Sequence, residues 1–318
     1  MNIVFTADIH IKLHQKNVPV DWAKNRYTNM LYLMTIYINS NNVDTLIIGG
    51  DIFDRLPTLE ELHVYFDMLA ELNKSCPKLK VLIYSGNHEA VKKNTTFLSH
   101  LRYVTSFVNN NALIIDDFYN VDDYEIIPYN KLKEAVDTKR KATSKLCFTH
   151  VRGEIPPHVL PEVDLTYFDQ WETVFAGDLH SHSNCQRNIV YPGSPVTTSF
   201  HRDTVDTGFI HITDKGWDFI KMTLPQLLRK TVTSVSEMIR TDYHHTIYEL
   251  EGDLQEMSKI ASNTELLDKK IVAKESVSSL ALTPEMTMSQ ELEQYLTTVL
   301  KMDNNKAKTV VAKFNDYI

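Results

Sequence analysis

The sequence predicts a layered α/β protein, in an α+β arrangement, with one large domain and a smaller appendage. Its 318 residues exceed the size of a typical single hydrophobic core. A hydrophobic content of 43% and a charged content of 23%, with only 9 glycines and 11 prolines, are typical of a folded globular chain. Over the first two-thirds of the chain, short β-branched runs alternate with amphipathic stretches, which indicates strands that alternate with helices.

The elements of this first region follow from local patterns. An amphipathic stretch predicts a helix over Trp22–Asn39. A second helix is predicted over Leu59–Leu72, because Thr58 and Glu61 stand at capping-box spacing. The six predicted strands are Ile3–Thr6, Thr45–Ile48, Lys80–Tyr84, Leu113–Ile115, Leu146–Thr149 and Thr173–Ala176.

The region from 188 to 224 is predicted to be rich in strands. Apolar runs at 188–191, 208–213 and 216–224 flank turn-like residues around Gly216, and we expect them to complete a second sheet. After Leu224 the strand-rich pattern gives way to short helical and strand patterns in alternation. This change predicts a boundary near 225–230 and a large domain over 1–224.

A small α/β domain is predicted over 225–285, and a helical pair over 286–318. In the small domain, 234–240 and 253–261 have helical patterns, whereas 245–252 and 269–275 have strand patterns. The tail has two helical patterns, Thr287–Leu300 and Asn305–Ile318, each with an apolar face. An apolar face on a terminal helical pair needs a partner surface to cover it.

Composition limits the compartment and the partners. No apolar run approaches the roughly 20 residues needed to cross a bilayer, and the first residues lack a secretion pattern, so we expect no membrane contact. Three cysteines without CxxC spacing indicate neither a disulfide framework nor a thiolate zinc site, which suits the cytoplasm, or the host cytoplasm for a phage protein.

The formal charge of −8 is unfavourable for nonspecific contact with nucleic acid. One basic cluster, comprising Lys139, Arg140, Lys141 and Lys145, is expected to be a solvated loop in front of a strand. A DNA-binding role would therefore need metal ions, a local patch or a basic partner.

Metal-competent side chains follow the predicted strands at five places. The carboxyl ends of parallel strands form one edge of an open sheet, where ligands bind, so these side chains are expected to meet. Carboxylates, imidazoles and an amide oxygen in this order indicate a dinuclear metal site. The motifs are D-x-H at Asp8 and His10, G-D-x-x-D from Gly50 to Asp54, G-N-H-E from Gly86 to Glu89, the single His150, and G-D-x-H from Gly177 to His180.

These motifs resemble those of calcineurin-like metallophosphoesterases over residues 1–224. Two further stretches, GDIFDRLPT from Gly50 and YPGSPVTTSF from Tyr191 to Phe200, are similar to the SbcD-type nuclease branch of that superfamily. The resemblance implies a two-sheet sandwich flanked by helices, followed by a small capping domain and C-terminal helices. It also implies a homodimer and an SbcC-like ABC-type ATPase partner that binds those helices.

The resemblance also implies a role for each motif residue. One divalent metal is expected on Asp8, His10, Asp51 and His180, and the other on Asp51, Asn87, His150 and Asp178. Asp51 would bridge two ions, Mn²⁺ in preference to Mg²⁺, for in-line hydrolysis of a phosphodiester. His88 would stabilise the transition state or protonate the leaving oxygen, which makes His88 and Asp51 the expected catalytic residues.

The chain departs from the family at Asp178, where the usual motif has a histidine. Two divalent ions carry four positive charges, which Asp8, Asp51, Asp178 and a hydroxide would cancel, so we expect weaker attraction of substrate phosphate or looser binding of the second metal. Most of the other histidines are expected on the surface or in the core, but His182 could reach the same cleft, because it follows His180 by two positions.

The function implied by the resemblance is a Mn-dependent exonuclease and endonuclease subunit that hydrolyses DNA in repair, recombination or replication. Because the same metal core serves several substrates, a phosphatase or phosphodiesterase acting on a protein or small molecule stays open. A binding protein with a decayed metal site is a third interpretation, suggested by Asp178 alone.

Overall fold

The computed structural model describes residues 1–92, 95–252, 266–272 and 286–316. The strands are β1 (Asn2–Thr6), β2 (Thr45–Gly49), β3 (Lys80–Tyr84), β4 (Ala90–Lys92), β5 (Thr95–Thr96), β6 (Ala112–Ile115), β7 (Tyr119–Asn120), β8 (Tyr124–Ile127), β9 (Leu146–His150), β10 (Thr173–Gly177), β11 (Ile189–Val190), β12 (Gly208–Thr213), β13 (Gly216–Lys221), β14 (Leu227–Val232), β15 (His245–Gly252) and β16 (Leu267–Val272). The helices are α1 (Val20–Ser40), α2 (Leu59–Ser75), α3 (Phe97–Val108), α4 (Tyr129–Asp137), α5 (Met288–Gln294) and α6 (Asn304–Asn315).

Two sheets pack face to face between layers of helices, as the predicted fold class requires. The first sheet has the order β13-β12-β1-β2-β3-β6 and the second the order β11-β10-β9-β8-β7. Because strand side chains alternate between faces, Ile3 and Phe5 enter the core between the sheets, whereas Val4 enters the core under α1, α2 and α3. The outer face of the second sheet packs against Leu132 of α4.

The contact between the two sheets is rich in aromatic rings. Phe5 of the first sheet lies with its ring centroid 5.3 Å from that of Phe148 in the second, and Phe148 stacks on Phe175 at 5.2 Å. Tyr84 is fully buried and donates a hydrogen bond of 2.9 Å to the backbone carbonyl of Thr149. These contacts fix the ends of β1, β3, β9 and β10 relative to one another.

The helices begin where local signals predict. The capping box before α2 is present, since the Thr58 side chain accepts from the Glu61 backbone and the Glu61 carboxylate accepts from the Thr58 N–H. Glu61 is fully buried, where it also accepts the N–H of Leu13 at 3.0 Å. One carboxylate therefore both starts α2 and holds the loop that follows β1.

The strands of 208–224 join the first sheet, so the expectation that they complete the second sheet was wrong. β12 pairs antiparallel with β1 and with β13, which forms the edge of the first sheet. Only β11 of this region pairs with β10 in the second sheet. An alternating pattern shows that a strand has one buried face but does not say which sheet contributes its neighbour.

Residues 227–272 contribute a parallel three-stranded sheet in the order β14-β15-β16. The helix predicted at 234–240 is only a single 3₁₀ turn, Val235–Glu237. The Ser234 side chain caps its start by accepting the N–H of Ser236, and the turn ends because the backbone is extended at Met238. The helix predicted at 253–261 lies outside the described residues, as do 273–275 of the strand predicted at 269–275. The strand predicted at 245–252 is confirmed.

The tail forms two short helices. α5 continues into a π-helical turn, Tyr295–Val299, and α6 follows after Asp303, whose side chain accepts the N–H of Asn305 at 3.0 Å. Both predicted terminal helices are therefore confirmed within the described residues, whereas their role stays a prediction.

Cys76, Cys147 and Cys185 are free thiols. In the described part of the chain, no helix has the length and apolar character that crossing a membrane requires.

Candidate metal centre

The five predicted motifs meet at one edge of the two sheets. β1, β2 and β3 run parallel, as do β9 and β10, so the residues just after their carboxyl ends face one another. The Asp8 N–H donates to the Gly50 carbonyl at 3.0 Å, and the His10 N–H donates to the Asp51 carbonyl at 2.9 Å. The first two motifs are thus joined by backbone hydrogen bonds.

Four of the seven predicted ligands have backbone conformations that L-residues rarely adopt. The φ angles are +56° at Asp8, +47° at His10, +50° at Asp51 and +102° at Asp178. Each such residue costs on the order of 1–3 kcal/mol, and such conformations persist only where the surroundings impose them. Their concentration here indicates that the backbone is shaped to aim these side chains.

One group of donors comprises Asp8, His10 and His180, whose ligand atoms lie within 4.8 Å of one another. His10 Nε2 lies 3.0 Å from His180 Nε2 and 3.6 Å from Asp51 Oδ2. The structure therefore brings together the four residues predicted to hold the first metal.

The second group surrounds His150. Its Nε2 lies 2.9 Å from Asn87 Oδ1, 3.5 Å from Asp51 Oδ2 and 4.0 Å from Asp178 Oδ1. All four residues predicted to hold the second metal thus converge, and Asp51 belongs to both groups. Their coordination of metal remains a prediction that this proximity supports.

Hydrogen bonds outside these groups orient the imidazole rings. His150 Nδ1 donates to the Gly49 carbonyl at 2.9 Å, which leaves Nε2 to face the site. His180 Nδ1 is hydrogen-bonded to Thr198 Oγ1 at 3.0 Å. Fixing one ring nitrogen so that the other can bind a cation is typical of metal-binding histidines.

The pKa values reflect a buried site with a strongly negative potential. Burial lowers the pKa of His10 to about 3, and it also lowers the pKa of His180. Burial acts to lower the pKa of His150 as well, but Asp51, Asp8 and Asp178 outweigh it and raise the value to about 10. The three carboxylates thus favour positive charge at the position of His150.

The donor set fits divalent cations. Asp8 and Asp51 are almost fully buried, and within the described part of the chain they form ion pairs with histidines alone. Buried carboxylates are normally paired with cations or coordinate metals. Carboxylate, amide and imidazole ligands together suit Mn²⁺, Mg²⁺ or Zn²⁺ more than a soft metal.

His88 lies beside the two donor groups, and its ring is further from Asp51 than the rings of His10 and His150 are. Its Nε2 is 3.8 Å from Asp51 Oδ2, and its Nδ1 donates to the Asp54 carbonyl at 2.5 Å. The His88 side chain is 37% exposed, so a substrate can reach it. This position agrees with the predicted role of His88 beside the reacting phosphate.

Glu89 is a positioning residue whose role the G-N-H-E motif did not indicate. Its buried carboxylate accepts the backbone N–H groups of Asp51, Phe53 and Gly86 at 2.8–3.0 Å. Burial, followed by the charge of Asp51, raises the pKa of Glu89 to about 7. The carboxylate of Glu89 thereby joins the G-D-x-x-D and G-N-H-E motifs through hydrogen bonds.

Two other side chains have positions that the motifs did not indicate. Arg152 forms an ion pair with Asp178, with Nε 3.3 Å from Oδ2. His182, which could have reached the same cleft, is directed away from it: its Nδ1 donates to the Tyr191 carbonyl at 2.7 Å and its ring stacks on Phe219 at 4.3 Å. The 3₁₀ turn after Ser181 directs it away.

The centre opens to cavities on two sides. One cavity of about 320 Å³ borders Asp178 and His180 and is lined by Thr197 and Thr198. A smaller one of about 150 Å³ borders His88 and Phe97. Both cavities therefore border residues of the predicted site.

Comparison with known proteins decides the family. A profile for Calcineurin-like phosphoesterase matches residues 1–203, which is more than half of the chain. The chain belongs to this family. The resemblance predicted from the motifs is therefore confirmed, and the protein is a metal-dependent phosphoesterase with an α/β sandwich fold.

Three similar proteins extend the comparison. The protein named "Probable exonuclease subunit 1" of Escherichia phage T5 is 37% identical over 100% of this chain and 99% of its own. The protein named "Putative phosphoesterase 244L" of Invertebrate iridescent virus 6 is 25% identical over 65% of this chain and 74% of its own. The crystal structure of TT1561 of Thermus thermophilus aligns with a TM-score of 0.37 at 11% identity, over 61% of this chain and 89% of its own.

Proposed function

We propose that this calcineurin-like phosphoesterase is the nuclease subunit of a DNA-processing complex and hydrolyses DNA phosphodiesters with two divalent metal ions, Mn²⁺ in preference to Mg²⁺. The observation that carries the proposal is the full-length similarity to a phage T5 protein named as an exonuclease subunit. The two donor groups that share Asp51 support the chemistry. The process served would be repair, recombination or replication, with exonuclease and endonuclease action both predicted.

The proposed division of labour follows the geometry. Asp8, His10, Asp51 and His180 would hold one cation, and Asp51, Asn87, His150 and Asp178 the other. When bound, the two cations supply the positive charge that a phosphodiester needs and make a water molecule more acidic.

The remaining steps belong to side chains. Asp51 is held by the His88 N–H, which donates to Oδ1 at 2.9 Å, and this leaves Oδ2 between His10 and His150. His88 would stabilise charge on the phosphate or protonate the leaving oxygen, since its Nδ1 is fixed by Asp54 and its Nε2 faces the cleft.

We also propose the domain organisation predicted from the sequence, with a nuclease domain over 1–224, a capping domain over 225–285 and a docking helical pair over 286–318. The helical pair exposes Met288, Tyr295 and Leu300, which supports a role in binding an SbcC-like ATPase. The predicted homodimer is supported by the exposed Tyr103 and Phe107 on α3. Such partners would also offset the acidic charge of the chain.

Hydrolysis of an end-labelled linear DNA duplex in Mn²⁺ tests the proposal. Progressive shortening by the wild type is expected, with none by Asp51→Asn and full activity in Asp67→Asn, a matched change on the exposed side of α2. Retained cleavage in Asp51→Asn contradicts the assignment of cleavage to this site. No cleavage of DNA with or without an added ATPase subunit, combined with brisk hydrolysis of a small phosphate ester, favours a phosphatase instead.

A further inference from the structure

Arg152 stands at the rim of the second donor group. It follows His150 by two residues, so it lies just beyond the carboxyl end of β9, on the same edge as the site. Its Nε lies 3.3 Å from Asp178 Oδ2 and its Nη2 lies 3.4 Å from Oδ1. The Arg152 side chain is 42% exposed, whereas that of Asp178 is 7% exposed. The guanidinium thus lies between a buried ligand and the solvent through which substrate arrives.

Neighbouring contacts hold this arrangement in place. The Asp178 N–H donates to both carboxylate oxygens of Asp8, at 3.0 and 3.2 Å. The Arg152 N–H donates to Glu162 Oε1 at 3.1 Å, and the other oxygen of Glu162 accepts from the Tyr129 hydroxyl at 3.1 Å. The backbones of Arg152 and Asp178 are therefore each held by hydrogen bonds that do not involve their own side chains.

The net charge of the metal-loaded site indicates a role for Arg152. With an aspartate in place of the usual histidine, two divalent cations and a hydroxide leave the donor set neutral. The permanent charge of Arg152 restores one positive charge at the position where the histidine is missing. Attraction for a phosphate anion then no longer depends on the metals alone.

The hydrogen bonds of Arg152 are also suited to this task. A guanidinium has five N–H groups, and two of them are directed at Asp178. In the described part of the chain the other three have no acceptor within hydrogen-bonding distance. A planar fork with unused donors is the side chain best matched to phosphate oxygens.

We infer that Arg152 binds a phosphate oxygen of the substrate, in a position set by its ion pair with Asp178. This inference rests on the proposed function, because it states how the same site holds its substrate. Arg152 is then a substrate-binding residue that compensates for Asp178.

The test compares Arg152→Gln and Arg152→Lys with the wild type in the presence of Mn²⁺. Inorganic phosphate is the probe, titrated into the metal-loaded protein by calorimetry and used as an inhibitor of bis(4-nitrophenyl) phosphate hydrolysis. Loss of a charge-assisted hydrogen bond predicts about 10- to 100-fold weaker phosphate binding in Arg152→Gln, with a matching rise in KM. Arg152→Lys is expected to recover part of the loss, because it keeps the charge but not the fork.

The matched control is Arg187→Gln. Arg187 also pairs with a single aspartate, Asp169, and its side chain is also 42% exposed, but it lies in the turn before β11 and away from the donor groups. Its loss should leave phosphate binding unchanged. Calorimetry with Mn²⁺ alone should give the same stoichiometry for Arg152→Gln and the wild type.

Three outcomes overturn the inference. They are wild-type phosphate affinity in Arg152→Gln, a loss fully explained by fewer bound metal ions, and no phosphate binding by the wild type. Failure of the nuclease proposal is a separate result. If DNA is not cleaved but phosphate binding still depends on Arg152, the inference stands and the substrate assignment falls.

Discussion

Gly86→Ala is the most direct probe of how tightly the centre is packed. A Cβ at residue 86 would stand 2.6 Å from the Asp51 nitrogen and 2.6 Å from His150 Cε1, and still closer to Asp51 Oδ1. Real Cβ atoms essentially never approach within 3.0 Å and make ordinary contacts from 3.4 Å, so the Asp51 nitrogen and His150 Cε1 must retreat by 0.4 to 0.8 Å and Asp51 Oδ1 by more. The added methyl group therefore displaces two predicted metal ligands at once.

The expected cost has two parts. Overpacking a filled site costs about 1–3 kcal/mol of unfolding free energy. A misplacement approaching 1 Å in catalytic groups costs on the order of 10²-fold in rate, so kcat/KM should fall by one to two orders of magnitude. Urea unfolding, calorimetry with Mn²⁺ and hydrolysis of a phosphodiester measure the three quantities on one preparation.

Gly216→Ala is the control that separates stability from site geometry. Gly216 has φ +132°, which strains any L-residue, yet a Cβ there has no neighbour within 4 Å. This variant should also lose stability, by about 1 kcal/mol or more, but keep wild-type metal affinity and turnover. Wild-type metal affinity and turnover in Gly86→Ala would refute the view that Asp51 and His150 are held by close packing.

Three further predictions address the surroundings of the centre. Thr198→Val removes the hydrogen-bond partner of His180 Nδ1 and should weaken Mn²⁺ binding about 10- to 100-fold in a calorimetric titration, whereas Thr198→Ser should not. Mn²⁺ at 100-fold above its Kd should stabilise the wild type by about 2.7 kcal/mol and raise its Tm, and an equal rise in Asp51→Asn would contradict the assigned site. Hydrogen bonding to Lys269 outweighs the burial of Glu249 and, with Arg202, lowers the pKa of Glu249 to about 2, so this contribution to stability is present above about pH 4.5 and lost as the pH falls toward 2. Glu249→Gln should flatten that part of the stability-pH curve, and an unchanged curve would show that the carboxylate is not the source.

The sequence allowed the predicted ligands to be identified because they directly follow buried strands. In a parallel sheet the ends of neighbouring strands meet, so Asp8 and Asp51 converge after β1 and β2 of the first sheet. His150 follows β9 of the second sheet and reaches them because the two sheets pack face to face. The start of α2 was equally predictable, since Thr58 and Glu61 are a local signal that needs no tertiary context.

The remaining features depend on neighbours that a sequence does not display. The role of Glu89 could not be derived, because its partners are backbone N–H groups brought close only by folding. Arg152 and Asp178 are 26 residues apart along the chain, and they meet because β9 and β10 are adjacent in the second sheet. The position of β12 was mispredicted because its alternation fits either sheet equally well.

The hydrogen bond from the Asp178 N–H to the Asp8 carboxylate joins residues 170 positions apart. During synthesis the chain emerges from its N-terminus, so a nascent polypeptide that ends before residue 178 lacks Asp178 and His180 and has only part of each donor group. The last motif is thus hydrogen-bonded to the first. Both predicted donor groups are complete only after residue 180 has been synthesised. A polypeptide terminated before residue 178 therefore lacks ligands predicted for both metals.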